Sequence, residues 1–183
     1  MLKKFMRKQE VEDALEGKGE FVKIDCLTRY LKETPPLDMR KFAYLKLAEI
    51  YDSRKMFSDS AKCYRNMAIN SLTFADKVKY FIEETKAHVR NLSFEDADRS
   101  LKRALGEANS RQKKEVYAEV IKFYKEQGEE LEKSRKNNNA VKLYEKLYRM
   151  HLKEEDKEEI KQRMIGLYEN LGKRNEIKFL ESV

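Results

Sequence analysis

Along the 183 residues the same unit recurs: an apolar stripe of helical spacing, a short polar break, and a second stripe. In Lys41–Arg54, Tyr44, Leu47, Ala48 and Tyr51 fall at i, i+3, i+4 and i+7, which is one face of a helix. Ala61, Tyr64, Met67 and Ala68 do the same over Ser58–Ala68. The break between them, DSRKMFSD around Phe57, has the length of a helix–helix turn, so an antiparallel hairpin is expected. Phe81, Thr85 and His88 begin another, turning at RNLSFED toward Ala97, Leu101 and Ala104. Tyr117, Val120, Ile121 and Tyr124 pair with Ala140, Tyr144 and Leu147. Met164, Ile165 and Tyr168 lead through LGKRNE to Ile177 and Leu180. Near the N-terminus, Phe5, Val11 and Leu15 precede EGKGE, then Leu27 and Tyr30. Aligning Lys23, Ser60, Ala97, Ala140 and Ile177 gives separations of 37, 37, 43 and 37 by subtraction. A near-constant period of this size marks stacked helical pairs, none of which can bury its apolar face alone. The expected fold is all-α, an α-α superhelix of about five antiparallel hairpins spanning 1–183 as a single domain.

Composition supports the class. Glycine (6) and proline (2) are scarce, whereas a strand-rich fold would need turn residues every eight to twelve positions. With 40% hydrophobic residues the chain can bury a core despite 40% charged content. Pro35-Pro36 breaks the pattern after the first hairpin without implying a second domain. The hairpin that starts at Tyr117 is about two helical turns longer than the others, with the excess in GEELEKSRKNNN. Its first helix is expected to run to about Lys136, with Asn137–Asn139 as a polar turn.

The net charge of +7 is spread evenly. Met1–Arg40 holds 9 basic and 8 acidic residues, Lys41–Ser110 13 and 10, and Arg111–Val183 18 and 15, an excess of +1, +3 and +3. A dedicated nucleic-acid domain usually gathers its cations. Cys26 and Cys63 are too few for a disulfide framework or zinc site, and each is expected to act as a small buried residue. The start MLKKFMRKQEVEDALE carries charges throughout and lacks the apolar core expected of a signal peptide, and no stretch approaches the roughly 20 apolar residues of a membrane span. A cytoplasmic protein is expected.

The best copy of the unit, Tyr44-x2-Leu47-Ala48-x2-Tyr51 followed by Phe57-x2-Ser60-x3-Tyr64-x2-Met67, resembles the tetratricopeptide repeat family. It departs from that pattern at Ser60, where Ala is usual, and at Met67, where a small residue is normal. The longer period is similar to the divergent branch that includes the soluble NSF-attachment proteins. The resemblance implies a groove lined by the first helix of each pair, receiving an extended peptide or a helix. Transferred to this chain, that geometry places Phe42, Leu45 and Glu49 in the groove, then Lys79, Ile82, Lys86 and Val89, then Ala118, Lys122 and Lys125. Phe42, Leu45, Ile82 and Val89 would form an apolar floor beside four lysines, suited to a protein partner with acidic and hydrophobic residues. The structural alternative is that Phe42 and Ile82 pack between repeats and the lysines are ordinary solvated residues. Family members that grip a terminal carboxylate use Lys and Asn; here Leu45, Glu49 and Glu83 occupy corresponding positions, and two acids would repel it.

Catalytic, cofactor and metal motifs are lacking. His88 sits on an apolar stripe and reads as a core or groove-edge residue; His151 lies near a helix end, where a positive ring suits the dipole. The run Glu154, Glu155, Asp156, Glu158, Glu159 reads as the acidic start of a helix rather than a metal site. No phosphate loop, dinucleotide fingerprint or nucleophile elbow is present. The tyrosines fall at packing positions, not as exposed stacking platforms. A scaffold or adaptor is therefore expected, with no cofactor and no catalysis. The alternatives are a basic solenoid that meets RNA and self-association through Phe179, Leu180 and Val183.

Overall fold

The computed structural model describes residues 2–182, and among them it holds ten helices and no strand. In chain order these are α1 (Lys8–Leu15), α2 (Glu20–Lys32), α3 (Leu37–Ser53), α4 (Phe57–Ile69), α5 (Phe74–Arg90), α6 (Phe94–Glu107), α7 (Ser110–Lys133), α8 (Asn137–Tyr148), α9 (Glu154–Asn170) and α10 (Arg174–Glu181). Each packs on its neighbours in chain order, which makes the fold an all-α helical superhelix. Four pairs close tightly. The first is looser: α1 and α2 share the cluster of Val11, Leu15, Leu27 and Tyr30 without close backbone approach.

The period is written most clearly in the turns. In four hairpins the first helix ends on a residue with left-handed backbone: Lys55 (φ 59°), Leu92 (φ 56°), Arg135 (φ 56°) and Gly172 (φ 69°). The next residue then donates its N–H back across the helix end: Met56 to the Tyr51 carbonyl at 2.8 Å, Ser93 to His88 at 3.0 Å, Lys136 to Leu131 at 2.9 Å and Lys173 to Tyr168 at 2.9 Å. This is the Schellman arrangement, which satisfies carbonyls the helix itself cannot. The same donor residue is the N-cap of the second helix. With Gly19, the N-caps Met56, Ser93, Lys136 and Lys173 are spaced 37, 37, 43 and 37, the period aligned in the sequence.

Position four of the second helices is the position aligned in the sequence, and in α2 it is the half-buried Lys23. Ser60, Ala97 and Ala140 are fully buried there, and Ile177 half-buried. Small side chains let the two backbones approach. On α7 the same closeness falls to Gly128: a Cβ would sit well inside contact distance of the Tyr144 ring.

The long hairpin corrects one expectation. Helix α7 stops at Lys133, the turn is Ser134–Lys136, and Asn137–Asn139 form the first turn of α8. The Lys136 N–H bond to Leu131 closes the turn before the asparagines are reached, and the Asn139 N–H then bonds the Lys136 carbonyl at 2.9 Å.

Two apolar clusters run along the stack, one through α1–α4 and one through α4–α10. Helix α4 joins them, giving Cys63 to the first and Ala68 to the second. Burial pushes the Cys63 thiol up to about 12, so it packs as a neutral apolar group; Cys26 is half-buried. His88 is buried on α5 as expected. Leu180 belongs to the core, whereas Phe179 is exposed; Val183 lies outside the described residues. No described helix is long and apolar enough to cross a membrane.

Candidate functional site

The face built from α1, α3, α5, α7 and α9 carries most of the residues singled out in the sequence. It is not one continuous apolar floor. Ile82 and Val89 are buried, 6% and 0% exposed, because α5 is the central helix and is enclosed by α4, α6 and α7. Phe42 is half-buried under Lys46, whose Nζ lies 5.6 Å from the ring centre. Leu45 and Glu49 are exposed, and Lys79 is exposed beside the Tyr80 ring.

Two of the four lysines are already engaged. Lys86 Nζ donates to Glu83 at 2.9 Å and to Glu119 of α7 at 2.7 Å. Lys125 Nζ donates to Asp156 at 2.7 Å and to Glu159 at 2.8 Å, both on α9. Burial alone would lower the pKa of each lysine. The hydrogen bonds outweigh it and hold both above the ordinary value. Lys41 to Asp76 (3.4 Å), Lys46 to Glu12 (3.0 Å) and Arg163 to Glu129 (3.0 Å) continue the ladder between successive first helices. These cations tie repeat to repeat.

Among the described residues, three of the hollows between the rungs differ in charge along the stack. The hollow between α1 and α3, about 460 Å3, is lined by Glu12, Asp13, Glu16 and Glu49 against Lys23 and Lys46. A smaller one of about 240 Å3 between α5 and α7 holds Lys79 and Ile82 with Glu83, Glu115 and Glu119. The third, about 750 Å3, lies between α7 and the α8–α9 linker and is different in kind.

This cleft follows from the spacing of α7. Lys113, Tyr117, Ile121 and Lys125 lie four apart, and Lys114, Ala118 and Lys122 form the adjacent row, so one helix face carries all seven. The opposite stripe, Val116, Val120, Tyr124 and Gly128, faces the core. The start of α7 is fixed by a capping box: the Gln112 N–H donates to Asn109 Oδ1 at 2.9 Å, and the Asn109 N–H to Gln112 Oε1 at 3.0 Å. The linker makes the second wall. The His151 N–H donates to the Tyr117 hydroxyl at 3.0 Å, which holds His151, Leu152 and Lys153 over the cleft. Leu105 of α6 completes the apolar lining.

The floor is therefore Tyr117, Ala118, Ile121 and Leu152, and the rim is Lys113, Lys114, Lys122 and Lys153, all four exposed. Among the described residues, Lys122 pairs with the exposed Glu126 alone, at 3.7 Å. Asp156, the one carboxylate in the described lining, is held by Lys125. The acidic run that contains it opens α9, with Glu154, Glu155 and Asp156 in its first turn as the sequence reading has it. Of the sequence-derived groove, the structure brings Ala118, Lys122 and Lys125 together here. Lys113, Lys114 and the linker were missed. A helical wheel of α7 extended back to its Asn109 cap would have found the lysines; the linker carries no comparable sequence signal.

No family model, curated protein or solved structure matches the chain. Among the described residues, no group of three or more His, Cys, Asp or Glu could hold a metal ion.

Proposed function

We propose that the protein is a cytoplasmic scaffold or adaptor of tetratricopeptide type, which holds a segment of a partner protein on the face of its first helices. The observation that carries this reading is the cleft beside α7. Its volume, about 750 Å3, lies within the roughly 300–1,000 Å3 typical of ligand-sized sites, and it combines an apolar floor with Lys113, Lys114 and Lys153, which pair with no carboxylate among the described residues. The tetratricopeptide reading is supported by the turn that recurs at spacings of 37, 43 and 37 residues and by the small buried residues Ser60, Ala97 and Ala140 four positions into three of the second helices. Uncovered apolar surface rimmed by charge favours association. The floor is mainly aliphatic, and the hydroxyl of its single aromatic residue is engaged by the linker. That suits side-chain anchors better than stacked bases.

Affinity purification from the native cells, with mass spectrometry, tests the reading. Wild type should retain a partner that Ala118→Asp loses, because Ala118 is exposed in the cleft. Lys142→Glu, on the exposed side of α8, should keep it. The scaffold reading fails if every partner survives Ala118→Asp. It also fails if the bound material is RNA that is lost steeply between low and moderate salt.

A further inference from the structure

Resting on the scaffold reading, we propose that the α7 cleft takes an internal acidic segment of its partner, with apolar anchors set between two acidic groups. The argument is the placement of the cations. Lys113 and Lys114 precede Lys122 by nine and eight residues on one helix, a separation of about 13 Å along its axis at the ~1.5 Å rise per residue. One carboxylate cannot bridge that distance, so the rim does not form a clamp for a chain terminus. An extended chain covers it in about four residues. Between the two cationic ends lie Ala118 and Ile121, faced across the cleft by Leu152. Lys153, on the linker wall, adds charge from the other side.

The occupant that complements this surface has an acidic group at each end of a short apolar stretch. Its backbone runs along α7 and its anchors enter the floor. The hollows between α1 and α3 and between α5 and α7 each carry two more acidic than basic lining residues, so charge favours the α7 cleft for such a segment. Tyr117 positions the linker wall through the His151 N–H and is a positioning residue, not an anchor.

The test is fluorescence anisotropy with a labelled heptapeptide, acetyl-Asp-Glu-Phe-Leu-Ile-Asp-Glu-amide, against the intact protein. The peptide should bind. Replacing its acids by Asn and Gln, or its apolar residues by Ser, should weaken binding by at least about tenfold. The double variant Lys113→Glu/Lys114→Glu should weaken it by a similar factor, Ala118→Asp should abolish it, and Lys142→Glu should leave it unchanged. A free C-terminal carboxylate in place of the amide should bring no gain.

The proposal is overturned if the peptide does not bind, if the neutral peptide binds equally well, or if the free carboxylate is the main source of affinity. It is also overturned if a uridine 12-mer binds through these lysines while the peptide does not. Should the peptide fail while Ala118→Asp still strips a partner in the purification, the occupant's chemistry is wrong and the scaffold reading stands. Should both fail, both fall.

Discussion

Glu84 on α5 is fully buried, and its Oε1 accepts from Arg65 Nε of α4 at 2.8 Å and from Arg103 Nη2 of α6 at 2.7 Å. His88 Nε2 lies 3.7 Å from the same oxygen. One carboxylate thus ties the second helices of two hairpins through the first helix between them. Removing the carboxylate of a buried pair leaves charge without compensation. Here the arginine side chains are 43% and 36% exposed, and water relieves part of the penalty. Glu84→Ala is expected to cost about 2–3 kcal/mol, below the 3–5 of fully enclosed pairs. Urea unfolding checks it; a loss below about 0.5 kcal/mol, the scale of ordinary surface substitutions, would show that the cluster does not hold the repeats together. The sequence carries no mark of this residue. Both arginines are 19 positions away, and only stacking brings them to one oxygen.

Helix pairs were legible because apolar spacing decides them. Tyr124, Tyr144, Leu147 and Met164, read from the stripe alone, are all buried. The end of α7 was not legible. Three asparagines suggest a turn by composition, but backbone hydrogen bonding sets it three residues earlier, with Arg135 in the left-handed region. That conformation costs a non-glycine residue about 1–2 kcal/mol. Lys55 and Arg135 are exposed, so Lys55→Gly and Arg135→Gly should each stabilise the fold by up to about 1 kcal/mol. Gly172→Ala should destabilise it by about as much. Calorimetric melting distinguishes these signs, and a destabilised Arg135→Gly would contradict the turn as described.

The rungs between first helices predict a pH response. The hydrogen bond from Lys125 holds the Glu159 carboxyl below its ordinary value of 4.5, with burial opposing. A depressed acid contributes stability that is present above its unfolded pKa and lost as pH falls through the folded one. The stability gap between wild type and Lys125→Met should therefore be level from about pH 6 to 8 and shrink below about pH 4. A gap that stayed constant down to pH 2 would mean that the ladder carries no charge-dependent stability.

At the scale of the molecule, the superhelix converts an even charge distribution into an uneven one. The three segments of the sequence differ by no more than two charges in their excess. Yet the first-helix face passes from net-acidic hollows between α1 and α3 and between α5 and α7 to a lysine-rimmed cleft between α7 and the α8–α9 linker. Sequence counting could not see this. Lys86 and Lys125 are consumed by pairing between repeats, while Lys113 and Lys114 gain a neighbour from a linker about 40 residues away, brought there by stacking. The residues of the expected groove do not form one surface: Ile82 and Val89 are buried, while Ala118, Lys122 and Lys125 line the α7 cleft. Methyl NMR on the intact protein, titrated with the acidic heptapeptide, locates the binding site directly. The account predicts shifts centred on Ala118, Ile121 and Leu152, with Leu45 and Val89 unmoved. Shifts centred on Leu45, or spread evenly over the stack, would contradict it.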